Sequence, residues 1–207
     1  MENRFNPNQI SRLDFKIIVS EIERKSKVLD LGCGDGTLLK LLIDSKNVTG
    51  RGVEISSEEV HLAMEKGLSV VQGDIDEGLS DYVDKCFDFV ILSQSLQVIY
   101  EPRMVLLEML RIGKKVIVSF PNFGHIKVRG KLLFKGQMPR TRLLPHEWYN
   151  TPNIRLLTIR DFKNLLKKEN ISIVKEYYFR DYDTMKSGFM PNLFARMAMF
   201  VLEEGKR

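Results

Sequence analysis

The chain has only two cysteines, one tryptophan and three histidines among its 207 residues. Cys33 and Cys86 form no CxxC pair and have no histidine at metal-ligand spacing. A disulfide scaffold is therefore excluded, no metal site is expected, and a reduced cytoplasmic setting fits best. No stretch approaches the roughly 18 uninterrupted apolar residues that a membrane span needs. The opening MENRFNPNQISRLDF has no apolar run behind its basic residues, so a signal peptide is not expected. Internal repeats and low-complexity linkers are also missing. With 43% apolar and 29% charged residues the composition is that of a globular chain able to bury a full core. At about 150 residues per domain, one elaborated domain spanning 1–207 is the expectation.

Acidic residues are absent from one long segment. Between Met109 and His146 lie nine cations (Arg111, Lys114, Lys115, Lys127, Arg129, Lys131, Lys135, Arg140, Arg142) and no Asp or Glu, whereas the whole chain carries only +5. Such a run is either a solvated face or a docking surface for an acidic partner. Nucleic acid is the weaker alternative, because the aromatic interleaving needed for base stacking is thin, with Phe123 and Phe134 the main candidates. The stretch Phe123 to Gly136, with Val128, Leu132 and Leu133, also reads as partly amphipathic, open to a membrane surface or a partner helix.

Around this segment, strand and helix patterns alternate. Ile10, Leu13, Ile17 and Ile22 recur at near-helical spacing. Val28–Leu31 is a short strand, Thr37–Ile43 a helix, Val48–Ile55 the second strand. Ser56 and Glu59 have capping-box spacing for a helix that Gly67 ends. Ser69–Gln72 and Phe87–Leu92 are strands three and four; Pro102 opens a helix that Gly113 closes, and Lys115–Phe120 is strand five. Thr158–Lys168 resumes as helix, Ile171–Phe179 as strand. Leu193–Leu202 reads as a strand, although Ala195–Met199 also suits a helix. Alternation of this kind implies a mostly parallel sheet with helices on both faces, because parallel neighbours need crossover connections. Residues 122–150 form a basic insertion after strand five.

The chemistry concentrates at the first strand end, in Gly32-Cys33-Gly34-Asp35-Gly36, which Asp30 precedes. Glycines there let a ligand lie against bare backbone while helix N–H groups face the same space. The dinucleotide pattern GxGxxG would need a glycine at 37, where Thr37 stands, so the loop is GxGxG. Twenty residues past Gly34, Glu54 closes strand two beside Ile55, placed to accept both hydroxyls of a ribose. Gly73-Asp74-Ile75 closes strand three, where Asp74 suits an adenine amino group and Ile75 its ring. A tight turn plus a surface acid is the plain alternative. Three separated elements falling at three consecutive strand ends favour a nucleoside pocket.

VLDLGCGDG, RGVEIS and QGDIDEGL resemble the class I S-adenosylmethionine-dependent methyltransferases. FDFVILSQSLQVI, VSFPNFGHIKVR and GQMPRTRLLPHEWYNTPNIRLLTIRDF resemble, more specifically, the MetW family of methionine biosynthesis proteins, over about Arg12 to Tyr178. The resemblance implies a Rossmann-like α/β fold with a seven-stranded sheet and S-adenosylmethionine or S-adenosylhomocysteine as ligand. It assigns Gly32 and Gly34 to the methionine moiety, Glu54 to the ribose, Asp74 and Ile75 to the adenine, and Ser93 with Gln94 to the loop beyond strand four. It also implies partnership with the homoserine O-acyltransferase MetX. The chain holds no GxSxG nucleophile elbow, so an acyl-transfer serine would belong to another polypeptide.

Two functions compete: a ligand-binding accessory subunit of MetX, and a methyltransferase acting on a small metabolite. Ser93-Gln94-Ser95 lacks the Asn/Asp-Pro-Pro-aromatic pattern of nucleic-acid amino methylases. His125 is the one candidate general base, although a lone histidine is more often structural. Asn122, Tyr149 and Asn150 are candidates for the pocket mouth, or equally for turn and packing roles. By analogy with the fold, the 122–150 insertion is a lid.

Overall fold

A computed structural model of the chain describes residues 8–141, 144–180 and 189–205. Its elements are α1 (Asn8–Glu21), β1 (Lys27–Leu31), α2 (Thr37–Lys46), β2 (Thr49–Glu54), α3 (Ser57–Glu65), β3 (Val70–Gln72), β4 (Phe87–Ser93), α4 (Pro102–Ile112), β5 (Gly113–Pro121), α5 (Ile126–Lys135), α6 (Ile159–Lys168), β6 (Ile171–Phe179), α7 (Pro191–Phe194) and β7 (Met197–Glu204). The strands form one seven-stranded sheet in the order β3-β2-β1-β4-β5-β7-β6. β1 to β5 pair in parallel; β7 inserts antiparallel between β5 and β6.

Side chains in the central strands are apolar on both faces, and the two-residue period sorts them. Val90 and Leu92 of β4, Val116, Val118 and Phe120 of β5, and Ala198, Phe200 and Leu202 of β7 point to one core, with Phe162 and Leu166 of α6 and Val105 and Met109 of α4. Phe89, Ile91, Ile117, Met199 and Val201 point to the other, with Ile18 and Ile22 of α1 and Leu38 and Leu42 of α2. A sheet buried on both faces needs such continuous apolar runs, which is why β4 and β5 are legible without polar alternation. In the first core Phe120 stacks parallel to Phe200, with ring centroids 6.0 Å apart, and Phe162 closes against both.

Helix boundaries follow their local chemistry. Ser56 Oγ accepts the Glu59 N–H at 3.4 Å, which caps α3, but the reciprocal bond from the Glu59 carboxylate is not made, so only half the expected capping box forms. The full box falls at α6, between Thr158 and Asp161. The Asp76 carboxylate accepts the Tyr100 and Glu101 amides at 2.9 and 2.8 Å and so ties the segment after β3 to the start of α4. The side chains of Ile10 and Leu13 and all of Arg142 lie outside the described residues.

One expected strand is corrected. The segment from Leu193 does not start as strand: Pro191–Phe194 is a helical turn, Pro191 suiting its first position, and β7 begins at Met197. The basic segment is also corrected, from one patch to two. β5 spans nine residues, so Lys114 and Lys115 sit at its start, about 20 Å along the strand from the insertion after Pro121. At that far end the charges are neutralised: Lys114 pairs with Asp88, Lys115 with Glu23, and Arg111 with Asp84 and Glu108. Beyond β5, Arg140 pairs with Glu147, so among the described residues of the run the cations without an ion pair lie on α5.

Candidate functional site

The C-terminal ends of β1, β2, β3 and β4 line up on one side of the sheet, where open α/β folds bind ligands. The turn from β1 into α2 uses φ values of +65°, +53° and +75° at Gly32, Gly34 and Gly36. Gly32 and Cys33 hang from β2 by donating their amides to the Val53 carbonyl at 2.8 and 3.2 Å. The glycines differ in purpose. A side chain at Gly36 would strike Leu68 and Ala63, so this position serves packing. A side chain at Gly34 would meet only the Glu59 carboxylate, at 3.9 Å, so the space above it is open. Gly32 lies under Ser95 and Ile75, which draws the β3 and β4 ends over the loop.

Glu54 is 9% exposed and turns toward the loop rather than away. Its Oε2 accepts the Gly34 amide at 2.9 Å, and its Oε1 accepts the amides of Ile55 at 2.9 Å and Ser56 at 3.0 Å. A carboxylate offers about four acceptor positions. Three are used by backbone, which leaves one on Oε2 beside Gly34. Ile55, next along the chain, is 63% exposed, an uncovered apolar side chain at the rim.

Asp30 is 2% exposed and accepts no hydrogen bond from any described residue. Burial, then the neighbouring Glu54 charge, raises its pKa to about 7. The thiol of Cys33 is pushed up to about 12, by burial first and then by the Asp30 and Glu54 charges, so it stays protonated and is no nucleophile. Asp74 Oδ1 accepts the Asp76 amide at 2.8 Å. Ser93 Oγ lies 3.3 Å from Ser119 Oγ, and Gln94 takes a positive φ of +54°.

No sequence pattern points to the residue that holds Ser93 and Gln94. Asp14 of α1 is fully buried, and its Oδ2 accepts both Ser93 Oγ at 3.2 Å and Gln94 Nε2 at 3.0 Å. Burial raises its pKa to about 6 against the lowering effect of these hydrogen bonds. A contact across 79 residues has no local pattern to announce it.

The other candidates fall elsewhere. Asn122 is 3% exposed and its amide is consumed by backbone. It donates to the Ala195 and Asn192 carbonyls at 2.7 and 3.2 Å and accepts the Gly124 and Ile159 amides at 2.9 and 3.3 Å. His125 is 8% exposed and caps α5, its Nδ1 accepting the Lys127 amide at 3.2 Å. With Asn122, Val128, Leu144 and Arg196 it lines a hollow of about 30 Å³, room for a water but not a substrate. Asn150 closes a turn with Glu147, and Tyr149 lies edge-on to Trp148 in the exposed loop. Neither side chain has a hydrogen bond or ring contact with Glu54, Asp74 or Ser93. Among the described residues no three His, Cys, Asp or Glu side chains gather as metal ligands, and no helix is long and apolar enough to cross a membrane.

Known proteins agree with this architecture. The fold is similar to that of an S-adenosylmethionine-dependent methyltransferase of Thermotoga maritima described as a possible histamine N-methyltransferase (TM-score 0.67, 17% identity, 96% of this chain and 91% of that one). It is also similar to the [4+2]-cyclase SpnF (TM-score 0.71, 16% identity, 100% of this chain and 86% of that one). In sequence, 97% of the chain is 34% identical to the bifunctional methionine biosynthesis protein MetXA/MetW of Rhodopirellula baltica; the chain spans 34% of the length of that relative. The family model for methionine biosynthesis protein MetW matches residues 12–202. The chain belongs to the MetW family, on a class I methyltransferase fold.

Proposed function

We propose that the chain binds S-adenosylmethionine or S-adenosylhomocysteine at the ends of β1 to β4 and serves as an accessory subunit of the homoserine O-acyltransferase MetX. The observation that carries the ligand assignment is Glu54, held against the glycine loop with an acceptor position open on Oε2. A ribose diol takes two acceptor positions, so one hydroxyl bonds directly and the second displaces the Gly34 amide. Asp30 supplies a second fit: a buried carboxylate without a hydrogen-bond donor suits the ammonium group of the methionine moiety, whose charge restores it to the ionised form. Ile55 and Ile75 flank the adenine, Asp74 takes its amino group, and Ser93 with Gln94 borders the same space from β4. The ligand would supply a methyl sulfonium; this chain's residues bind and orient it.

The partner assignment is supported by the relative named as a bifunctional methionine biosynthesis protein MetXA/MetW, which joins the two names in one polypeptide. The resident methyl donor is itself derived from methionine, so a ligand-dependent subunit would report end-product supply to an early step of the pathway. The fold does not favour methyl transfer over this role, since it also serves a [4+2]-cyclase. Neither His125, which caps a helix, nor Asn122, whose amide is fully bonded, offers a base beside Glu54.

Co-purification with MetX tests the reading, followed by acyltransferase assays with and without the chain and with added S-adenosylmethionine. Stimulation of acyl transfer that responds to the ligand, with no methylated product, is the expected result. Methyl incorporation into a metabolite without any effect on MetX would replace it with the enzyme reading.

A further inference from the structure

Among the described residues the outer face of α5 carries the two most exposed large apolar side chains. Val128, 2% exposed, marks the inward side. Ile126, Gly130, Leu133 and Phe134 follow the i, i+4, i+7, i+8 spacing that places them together on the opposite side. Leu133 and Phe134 are 78% and 83% exposed and, with Ile126 at 46%, form one contiguous apolar stripe. Lys127, Lys131 and Lys135 run beside this stripe at four-residue intervals. None of them forms an ion pair or hydrogen bond through its ammonium group with a described residue, as is also true of Lys25, Lys46, Lys167 and Lys168, but here three such charges fall at four-residue intervals beside an apolar stripe.

Gly130 adds a separate observation. A glycine inside a helix costs about 0.5–1 kcal/mol relative to alanine. Here φ is not positive, and a Cβ would meet nothing nearer than the Phe134 ring at 4.0 Å. No described residue requires glycine at that position. It opens a notch in the middle of the apolar stripe, of use to a shaped surface that approaches from outside.

We propose that this face of α5 is the docking surface for the acyltransferase subunit, and that the partner presents an apolar ridge bordered by Asp or Glu carboxylates. The identity of the partner rests on the accessory-subunit reading; the surface and its chemistry come from α5. A second copy of this chain fits poorly, because a two-fold contact would set the same three lysines against themselves. A fluid lipid surface gains nothing from the notch, and three apolar side chains on a ten-residue helix offer little area to bury in it. The location gives the contact a consequence. α5 follows β5 at the same sheet end that carries Glu54 and Asp30, so a partner seated there approaches the end of the sheet that holds the ligand site.

Calorimetry with the purified full chain and the purified acyltransferase tests this, at low and high salt. The wild type should bind, more weakly at high salt. Leu133→Asp with Phe134→Asp, and separately Lys127→Glu with Lys131→Glu and Lys135→Glu, should each weaken binding by about 30-fold or more. Val83→Asp, at an apolar residue 75% exposed near the other end of β4, should bind as wild type, and all should unfold at the wild-type temperature. Equal binding by every variant would overturn the surface and leave the subunit reading intact. Failure of the wild type to bind would remove the subunit reading and the named partner with it. Phe134-dependent binding to phosphatidylglycerol vesicles, or Phe134-dependent dimers in sedimentation, with no acyltransferase competition, would assign the face to lipid or to self-association and overturn the proposal.

Discussion

The Oε2 atom of Glu54 accepts the amide of Gly34, 2.9 Å away and twenty residues earlier in the chain. This bond joins the end of β2 to the middle of the β1–α2 turn and gives the loop its shape before any ligand arrives. Glu54→Gln keeps one acceptor but aims an NH₂ group at amides that need acceptors. The loss of charge-assisted hydrogen bonds should weaken S-adenosylhomocysteine binding about 10- to 100-fold, read by calorimetry. Unchanged affinity would remove the ribose assignment.

Gly34 and Gly36 should separate function from packing. Both have positive φ, so alanine costs about 1–2 kcal/mol at either from the backbone alone. At Gly36 the new methyl also collides with Leu68 and Ala63, and Gly36→Ala should lower the urea midpoint further. At Gly34 the methyl enters open space, so Gly34→Ala should fold nearly as well and lose the ligand.

Asp30 should make both stability and binding depend on pH. Its folded pKa of about 7 lies above the ordinary 3.8, so the native state holds a proton that the unfolded chain has released between those values. Stability is therefore greatest below pH about 4 on this account and falls as pH rises through 7. Asp30→Asn removes the cost and should stabilise the free protein at pH 8 by a few kcal/mol, the two proteins converging toward pH 4 in urea titrations. Ligand binding should run the other way. An ammonium group needs the carboxylate, so wild-type affinity should rise from pH 5 to pH 8 with proton release, and the variant should lose that slope.

Asn122 should behave as a structural residue. Asn122→Ala leaves the Gly124 and Ile159 amides and the Ala195 carbonyl without their buried partner, a loss of about 2–4 kcal/mol in urea unfolding. If stability held while ligand affinity fell, the residue would return to the pocket.

What was legible in the sequence was local or periodic. The glycine loop, Glu54 and Gly73-Asp74 sit at strand ends, and the apolar runs of β4 and β5 announce a sheet buried on both sides. Residues whose partners lie far along the chain were not legible. Asn122 reads as a candidate pocket residue because FPNFGH follows a strand, yet its four bonds go to segments as distant as residue 195. Asp14 carries no motif, since only the fold brings α1 to Ser93. The nine cations from 109 to 146 look like one patch on paper, but a nine-residue strand separates Arg111, Lys114 and Lys115, which are ion-paired, from Lys127, Lys131 and Lys135, which pair with no described residue. Pro191 explains the late start of β7: a proline favours the first turn of a helix, which the apolar pattern alone could not distinguish from strand.

The contact between Asp14 and the Ser93–Gln94 pair makes the opening helix a thermodynamic party to whatever happens at the β4 end. A molecule that tightens its hold on Gln94 must slow amide exchange in α1 by the same free energy, and loosening α1 must weaken that molecule in return. Deuterium uptake along Asn8–Glu21 would then record the state of a cleft that none of those amides touches.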